Sequence, residues 1–374
     1  MVAFKLALAI FAISMFGNVE AQIRGCYYED WSRWRSGPAQ FNKASQYKAG
    51  MCTHVFYAFA QISGNTVTGP TDGYPVVKGF KNIDSKVKLL LSIGGAGTAW
   101  SFQQLVSNSA NVNTWAKNAV AYAKNNGFDG IDVDWEFPTN QKDQFTNLLK
   151  ALRNNAPSPF LITAAVAAGI SNTAVSSYNI GAIKNIVDFL NVMTNFPNPD
   201  TIMPALGNRQ PGFCHLLGST TNEWNDAYTI QWYLNQGMPA SKLIFGIPTY
   251  GAGWTLASSA GGQKVGAQAA GGIVSKAGQF TQAAGSMAQY ELCKLGGTRT
   301  WDAATKTPFR QSGNQWFSYE DAQSVAEKIN FVKSKGLGGA FIWAIDLDDF
   351  TNYCGGGAYP IMNAINKQLI GKTF

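Results

Sequence analysis

Three acidic side chains recur at every second position of one short apolar segment: Asp132, Asp134 and Glu136 within Asp129-Gly-Ile-Asp132-Val-Asp134-Trp-Glu136. A β-strand sends alternate side chains to one face, so the acids share a face and Ile131, Val133 and Trp135 take the other. Neighbouring acids then stand ~6.6 Å apart at the backbone. Carboxylates this close and partly buried do not all ionise, because crowding and loss of water raise at least one pKa. A raised pKa on the outermost member, Glu136, keeps a proton on it at working pH, which is the state a general acid needs. Acids placed on a buried type of strand cost stability unless they are used. The pattern therefore points to acid chemistry and away from a surface ion-pair cluster.

Such a segment needs a scaffold. Eight short apolar runs punctuate the chain: Ile23–Tyr28, Thr53–Phe59, Val87–Ile93, Gly130–Asp134, Leu161–Val166, Phe189–Met193, Leu243–Ile247 and Ala340–Ala344. Helix-length segments separate them. Val112–Asn125 carries Trp115, Val120 and Ala123 and stops at Asn126-Gly127, a C-terminal capping signal. Gln144–Asn154 carries Phe145, Leu148, Leu149 and Leu152 on one stripe. Strands alternating with helices predict parallel βαβ units. Near-continuous apolar strands are those buried on both faces. Eight such units predict an α/β fold, the (β/α)8 or TIM barrel, in which functional side chains sit at the C-terminal strand ends. The acid segment ends the fourth strand. One connection, 248–337, is too long for an ordinary barrel loop. Its first part is rich in Gly, Ala and Ser, and it predicts a small inserted subdomain over residues 253–321, between strands seven and eight.

The 374 residues are 46% hydrophobic and 14% charged, a globular balance. The aromatic share of 13%, with 11 Trp, suits a cleft with flat apolar platforms, although most such rings are core. The net charge of +7 comes without a run of basic residues, so nucleic-acid binding is not expected. Lys5, the apolar run Leu6–Phe16 and Val19-Glu20-Ala21 read as a signal peptide over residues 1–21, with the mature chain starting at Gln22. That run is too short to span a bilayer, so a secreted, extracellular protein is expected and no membrane partner. Export makes disulfides among the five cysteines reasonable, but spacing alone does not choose the pairs. The two histidines, His54 and His215, have no second ligand type beside them, so no metal site is expected.

The motifs around the acid strand resemble glycoside hydrolase family 18, the animal chitinases and chitinase-like proteins. The signature is Asp129-x-x-Asp132-x-Asp134-x-Glu136. Ser92-Ile93-Gly94-Gly95, Cys26-Tyr27-Tyr28 with Trp31 and Arg35, and Cys52-Thr53-His54 agree with it. So do Gly246-Ile247-Pro248-Thr249-Tyr250-Gly251, Tyr290-Glu291-Leu292-Cys293, Gly338-Gly339-Ala340-Phe341-Ile342-Trp343 and Asp346-Leu347-Asp348-Asp349-Phe350. The match covers nearly the whole mature chain and is similar to the chitotriosidase-like group, including its α+β insertion. The resemblance implies a chitinase that cleaves β-1,4-N-acetylglucosamine polymers with retention. Glu136 is then the acid/base, and Asp134 orients the substrate's own N-acetyl group as nucleophile. Asp132 shares a proton with Asp134. Tyr27 and Trp343 line the site, with Phe59, Gly95, Met193, Asn195 and Tyr250 as further substrate-binding positions. The implied disulfides are Cys26–Cys52 and Cys293–Cys354, leaving Cys214 free. The implied partners are chitin or N-acetylglucosamine oligosaccharides, without a cofactor, and the chain is expected to be a monomer.

The chain departs from the family pattern inside the cleft. The usual Met-x-Tyr-Asp after strand six reads Met193-Thr194-Asn195-Phe196, and the following stretch, 197–217 with Cys214 and His215, is rebuilt. Ala252 stands for the usual Arg, Ala96 for a Trp that Trp100 could replace, and Phe137 for a Tyr. Losing one pre-placed transition-state hydrogen bond costs ~10²–10³ in rate. A weakened enzyme, or a chitin-binding lectin or structural protein on the same barrel, is the alternative expectation.

Overall fold

The computed structural model describes residues 22–168, 176–195, 225–261 and 269–374. The segment 1–21, Phe196, and the stretch with Cys214 and His215 lie outside the described residues.

Eight parallel strands form the barrel: Ile23–Glu29, His54–Ser63, Lys88–Gly94, Gly130–Asp134, Leu161–Val166, Phe189–Val192, Leu243–Pro248 and Gly339–Trp343. Each pairs in parallel with the next, and the first pairs with both the second and the eighth, which closes the sheet. Closure removes sheet edges, so every strand is covered on both sides, as their apolar runs require. The second strand runs on to Ser63, past the predicted end at Phe59, because a short strand, Thr66–Thr68, folds back on it through Gln61 and Thr68.

Helices cover the outside. Ser109–Asn125 buries Val112, Trp115, Ala116, Ala119, Val120 and Ala123. It begins before the predicted Val112 because Asn108 caps it, its side chain accepting the Ala110 N–H at 3.0 Å. The first turn is polar, so hydrophobic periodicity does not reach it. Lys142–Asn155 buries the predicted stripe of Phe145, Leu148, Leu149 and Leu152. Among the described residues no helix is long and apolar enough to cross a membrane.

Between the seventh and eighth barrel strands lies a second, antiparallel sheet. Its central strand, Tyr250–Leu256, pairs with Ala269–Val274, Ser286–Ala288 and Gln315–Ser318. Thr307–Ser312 and Thr298–Asp302 extend it beyond Gln315–Ser318. With the short helix Gln289–Leu292 this is an α+β insertion. The sheet begins at Tyr250, earlier than Gly253, since the chain leaves the barrel directly into its central strand.

Two disulfides, Cys26–Cys52 and Cys293–Cys354, are formed. The first joins barrel strand one to the entry of strand two. The second joins the insertion helix to the segment after strand eight.

Candidate active site

The acid strand is buried along its whole length. Its outward residue Trp135 stacks on Phe102 with ring centroids 5.0 Å apart. That side chain belongs to the helix Ala99–Val106, so the alternation turns Asp132, Asp134 and Glu136 inward.

Asp132 is held from three other strands, the two beside it and the first, across the barrel. Its Oδ2 accepts the Tyr27 hydroxyl and the Ser92 hydroxyl, each at 2.8 Å, and its Oδ1 accepts the Thr163 hydroxyl at 2.6 Å. Asn191 in turn donates to the Tyr27 oxygen at 3.0 Å. Burial raises the Asp132 pKa, and the three hydroxyls pull it back. Asp134 has no such support: its Oδ1 has no hydrogen-bond partner among the described residues. Burial first, then the charges of Glu136 and Asp132, hold its pKa well above the usual carboxylate range. The hydrogen bonds of Asp132 are to these three hydroxyls, and none joins it to Asp134 among the described residues. Glu136, half-buried, is pushed up to about 7 by loss of water. The site thus has one hydrogen-bonded aspartate, one unsupported aspartate, and a glutamic acid that keeps its proton near neutral pH.

Two glycines let neighbouring segments close on this strand. Gly94 has φ 118°, and a Cβ on it would lie 2.1 Å from the Asp134 carbonyl oxygen. Gly95 has φ 91°, and a Cβ there would lie 2.6 Å from the Phe59 ring. Only glycine fits either place.

The strand ends open into a cavity of about 1050 Å³. Phe59 and Trp343 stack at 5.5 Å, with Trp31 at 6.1 and 6.4 Å from them, and Tyr27 lies 5.2 Å from Trp343. Asp134, Glu136, Gly95, Met193, Asn195 and Tyr250 also line it. Every predicted binding position is therefore gathered at one cavity. Asn195 is buried, and its backbone oxygen accepts the Tyr250 hydroxyl at 2.7 Å. Ala252 lines the cavity with no polar side chain. Ala96 and Thr98 line the cavity, and Trp100 is exposed on the helix that follows. Among the described residues no group of His, Cys, Asp or Glu could hold a metal.

A model of glycosyl hydrolases family 18 matches residues 23–348. The chain belongs to this family. A Caenorhabditis elegans protein named probable endochitinase is 35% identical over 380 residues, which cover 93% of this chain and 60% of that one. This chain therefore spans less than two thirds of that relative. The Trichuris suis protein TsES1, described as an immunomodulatory active chitinase, superposes with a TM-score of 0.84 at 32% identity over 93% of this chain and 100% of that one. Human YKL-39, described as a pseudo-chitinase with retained chitooligosaccharide binding, superposes at 0.85 with 30% identity over 94% and 100%. Family 18 thus includes both a chitinase and a pseudo-chitinase of near-equal likeness to this chain.

Sequence reading missed several contributors. Thr163 and Asn191 carry no motif, although alternation along their strands could have turned them inward. The segment 280–286, which forms one wall, lies in the insertion and has no strand periodicity. Arg35 was read only as a motif residue, yet it binds Asp346 at 2.6 Å and also pairs with Glu29. Cis peptides precede Phe59, Phe137 and Ala344.

Proposed function

We propose that this chain is a secreted chitinase acting on β-1,4-linked N-acetylglucosamine polymers by substrate-assisted, retaining hydrolysis. The observation that carries the reading is Glu136, a carboxylic acid with its pKa pushed up to about 7, at the mouth of an aromatic-lined cavity beside buried Asp134. In this reading Glu136 protonates the leaving glycosidic oxygen and later takes a proton from the attacking water. Asp134 steadies the N-acetyl group while its oxygen attacks the sugar carbon. Asp132, fixed by three hydroxyls, stands behind Asp134. The Phe59, Trp343 and Trp31 rings offer apolar faces to the sugar rings. The signal-like residues 1–21 and the two disulfides support export to an oxidising compartment.

The second reading is a chitin-binding lectin, favoured by Asn195 and Ala252, which stand in the cavity where the family pattern carries a Tyr and an Arg. One experiment separates the two. The N-acetylglucosamine hexamer is incubated with the protein and with Glu136→Gln. Cleavage by the first and at least ~10³-fold less by the second is the expected result. Binding of the hexamer with no cleavage by the unaltered protein at any pH from 4 to 8 would establish the lectin instead.

A further inference from the structure

One wall of the cavity is the segment 280–286. Gln282, Ala283 and Ala284 are exposed. Gln282 has φ 53°, a left-handed conformation that a non-glycine residue adopts at a cost. At its far end Gly285 is bonded through its backbone, its N–H donating to the Ser275 oxygen at 3.0 Å and its oxygen accepting the Gly253 N–H at 2.9 Å; at its near end the segment is tied to one carboxylate behind it. Glu291 is buried on the helix Gln289–Leu292 and is not a cavity-lining residue. Its Oε1 accepts the N–H of Phe280 at 2.6 Å and of Thr281 at 3.0 Å. Its Oε2 accepts the Thr281 hydroxyl at 2.7 Å and the Ala288 N–H at 3.0 Å. Three donors from the start of the wall therefore converge on one side chain, which also caps its own helix through the Ala288 N–H. The chain also passes directly over the carboxylate at Gly278, where a Cβ would meet its oxygens at 2.4 and 2.5 Å.

The anchor itself is tied on two sides. Ser286, Met287 and Ala288 pair with Ala252, Gly251 and Tyr250. The Gln289 N–H donates to the Leu347 oxygen at 3.0 Å, and the Cys293–Cys354 disulfide follows. Glu291 thus links the wall to the segment after barrel strand eight, which contributes Leu347 to the same cavity.

We propose that Glu291 is a positioning residue that sets the affinity of the cleft for its sugar chain by holding the wall 280–286 in its binding shape before the ligand arrives. A wall ordered in advance loses less entropy on binding. The proposal rests on the reading of the cleft as a site for N-acetylglucosamine oligomers. It places Glu291 in binding and outside the chemical step.

The test uses Glu291→Gln, which keeps the size of the side chain but turns an N–H toward the donors of Ala288 and Thr281. Hexamer binding is measured by calorimetry, kcat and KM by product formation, and wall mobility by amide hydrogen exchange over 280–288. Kd and KM should each rise about tenfold while kcat stays within about twofold. Exchange should quicken over 280–288 and stay unchanged over Gly130–Asp134. An unchanged Kd with faster exchange would show that the wall does not contribute to binding. Unchanged exchange would show that Glu291 is not its anchor, and a lower kcat at constant Kd would move the residue into the chemistry. A hexamer that does not bind the unaltered protein overturns the reading of the cleft, and this proposal with it. If Glu291→Gln does not fold, Gly278→Ala presses a methyl group on the same carboxylate from outside the cavity and should give the same split.

Discussion

Glu136 shows how much of a residue's chemistry its surroundings decide. The alternation of Asp132, Asp134 and Glu136 is visible in the sequence, and so is the inference that one of them must hold a proton. Their division of labour is not. Asp132 is surrounded by hydroxyls from Tyr27, Ser92 and Thr163, which come from three different strands. Asp134 receives none of these. A pH profile tests the outcome. The pKa of Glu136 is raised to about 7, so it is protonated below that value and loses its proton above it. The acid function is therefore present at pH 5–6 and lost as pH rises through about 7. In this reading kcat/KM falls by about tenfold per pH unit above 7. A profile that stays flat to pH 9 would remove Glu136 as the acid.

At the scale of elements, the close approach of the third and fourth strands decides where the acids stand. The Ser92-Ile93-Gly94-Gly95 motif is legible as a motif, but its reason is a contact across strands. The Gly95 N–H donates to the Asp134 oxygen at 2.9 Å, and that oxygen leaves no room for a side chain on Gly94. Gly94→Ala combines an unfavourable φ with a backbone clash, so it should lower unfolding free energy by about 2–4 kcal/mol. Urea unfolding measures this; a loss below 0.5 kcal/mol, on the scale of an ordinary surface change, would mean that the strands shift apart cheaply. The insertion was legible as a gap too long for a barrel loop. Its sheet order was not, because antiparallel partners such as Tyr250–Leu256 and Gln315–Ser318 are far apart in sequence.

At the scale of the whole molecule, several carboxyls are buried. Asp226 and Asp348 are each pushed up to about 7 by burial, and Asp132, Asp134 and Glu320 are raised as well. The sign follows from linkage. In the unfolded chain these groups release their protons near 4, whereas burial in the folded protein holds the protons to higher pH, to about 7 for Asp226 and Asp348. Stability is therefore fully present below the unfolded value and declines as pH rises toward 7. The melting temperature should be several degrees higher at pH 5 than at pH 8. Asp226→Asn should flatten part of that slope, since Lys328 keeps its contact with Glu320 at 2.6 Å. Equal melting temperatures at the two pH values for the unaltered protein would contradict this account.

Local patterns in the sequence were enough to determine the eight-strand alternation, the inward face of the acid strand and the family resemblance, because each depends on residues close together in the chain. The two disulfide pairs could be named only through that resemblance. Only the tertiary structure decided what surrounds each acid: the hydroxyl shell of Asp132, the absence of one at Asp134 among the described residues, and the bonds of Glu291 to Phe280 and Thr281. These contacts join residues tens to more than a hundred positions apart, or set loop segments that have no periodicity. Burial and hydrogen bonding at Glu136, Asp134 and Asp132 are properties of the closed barrel, and they set the proton positions on which the chemistry turns.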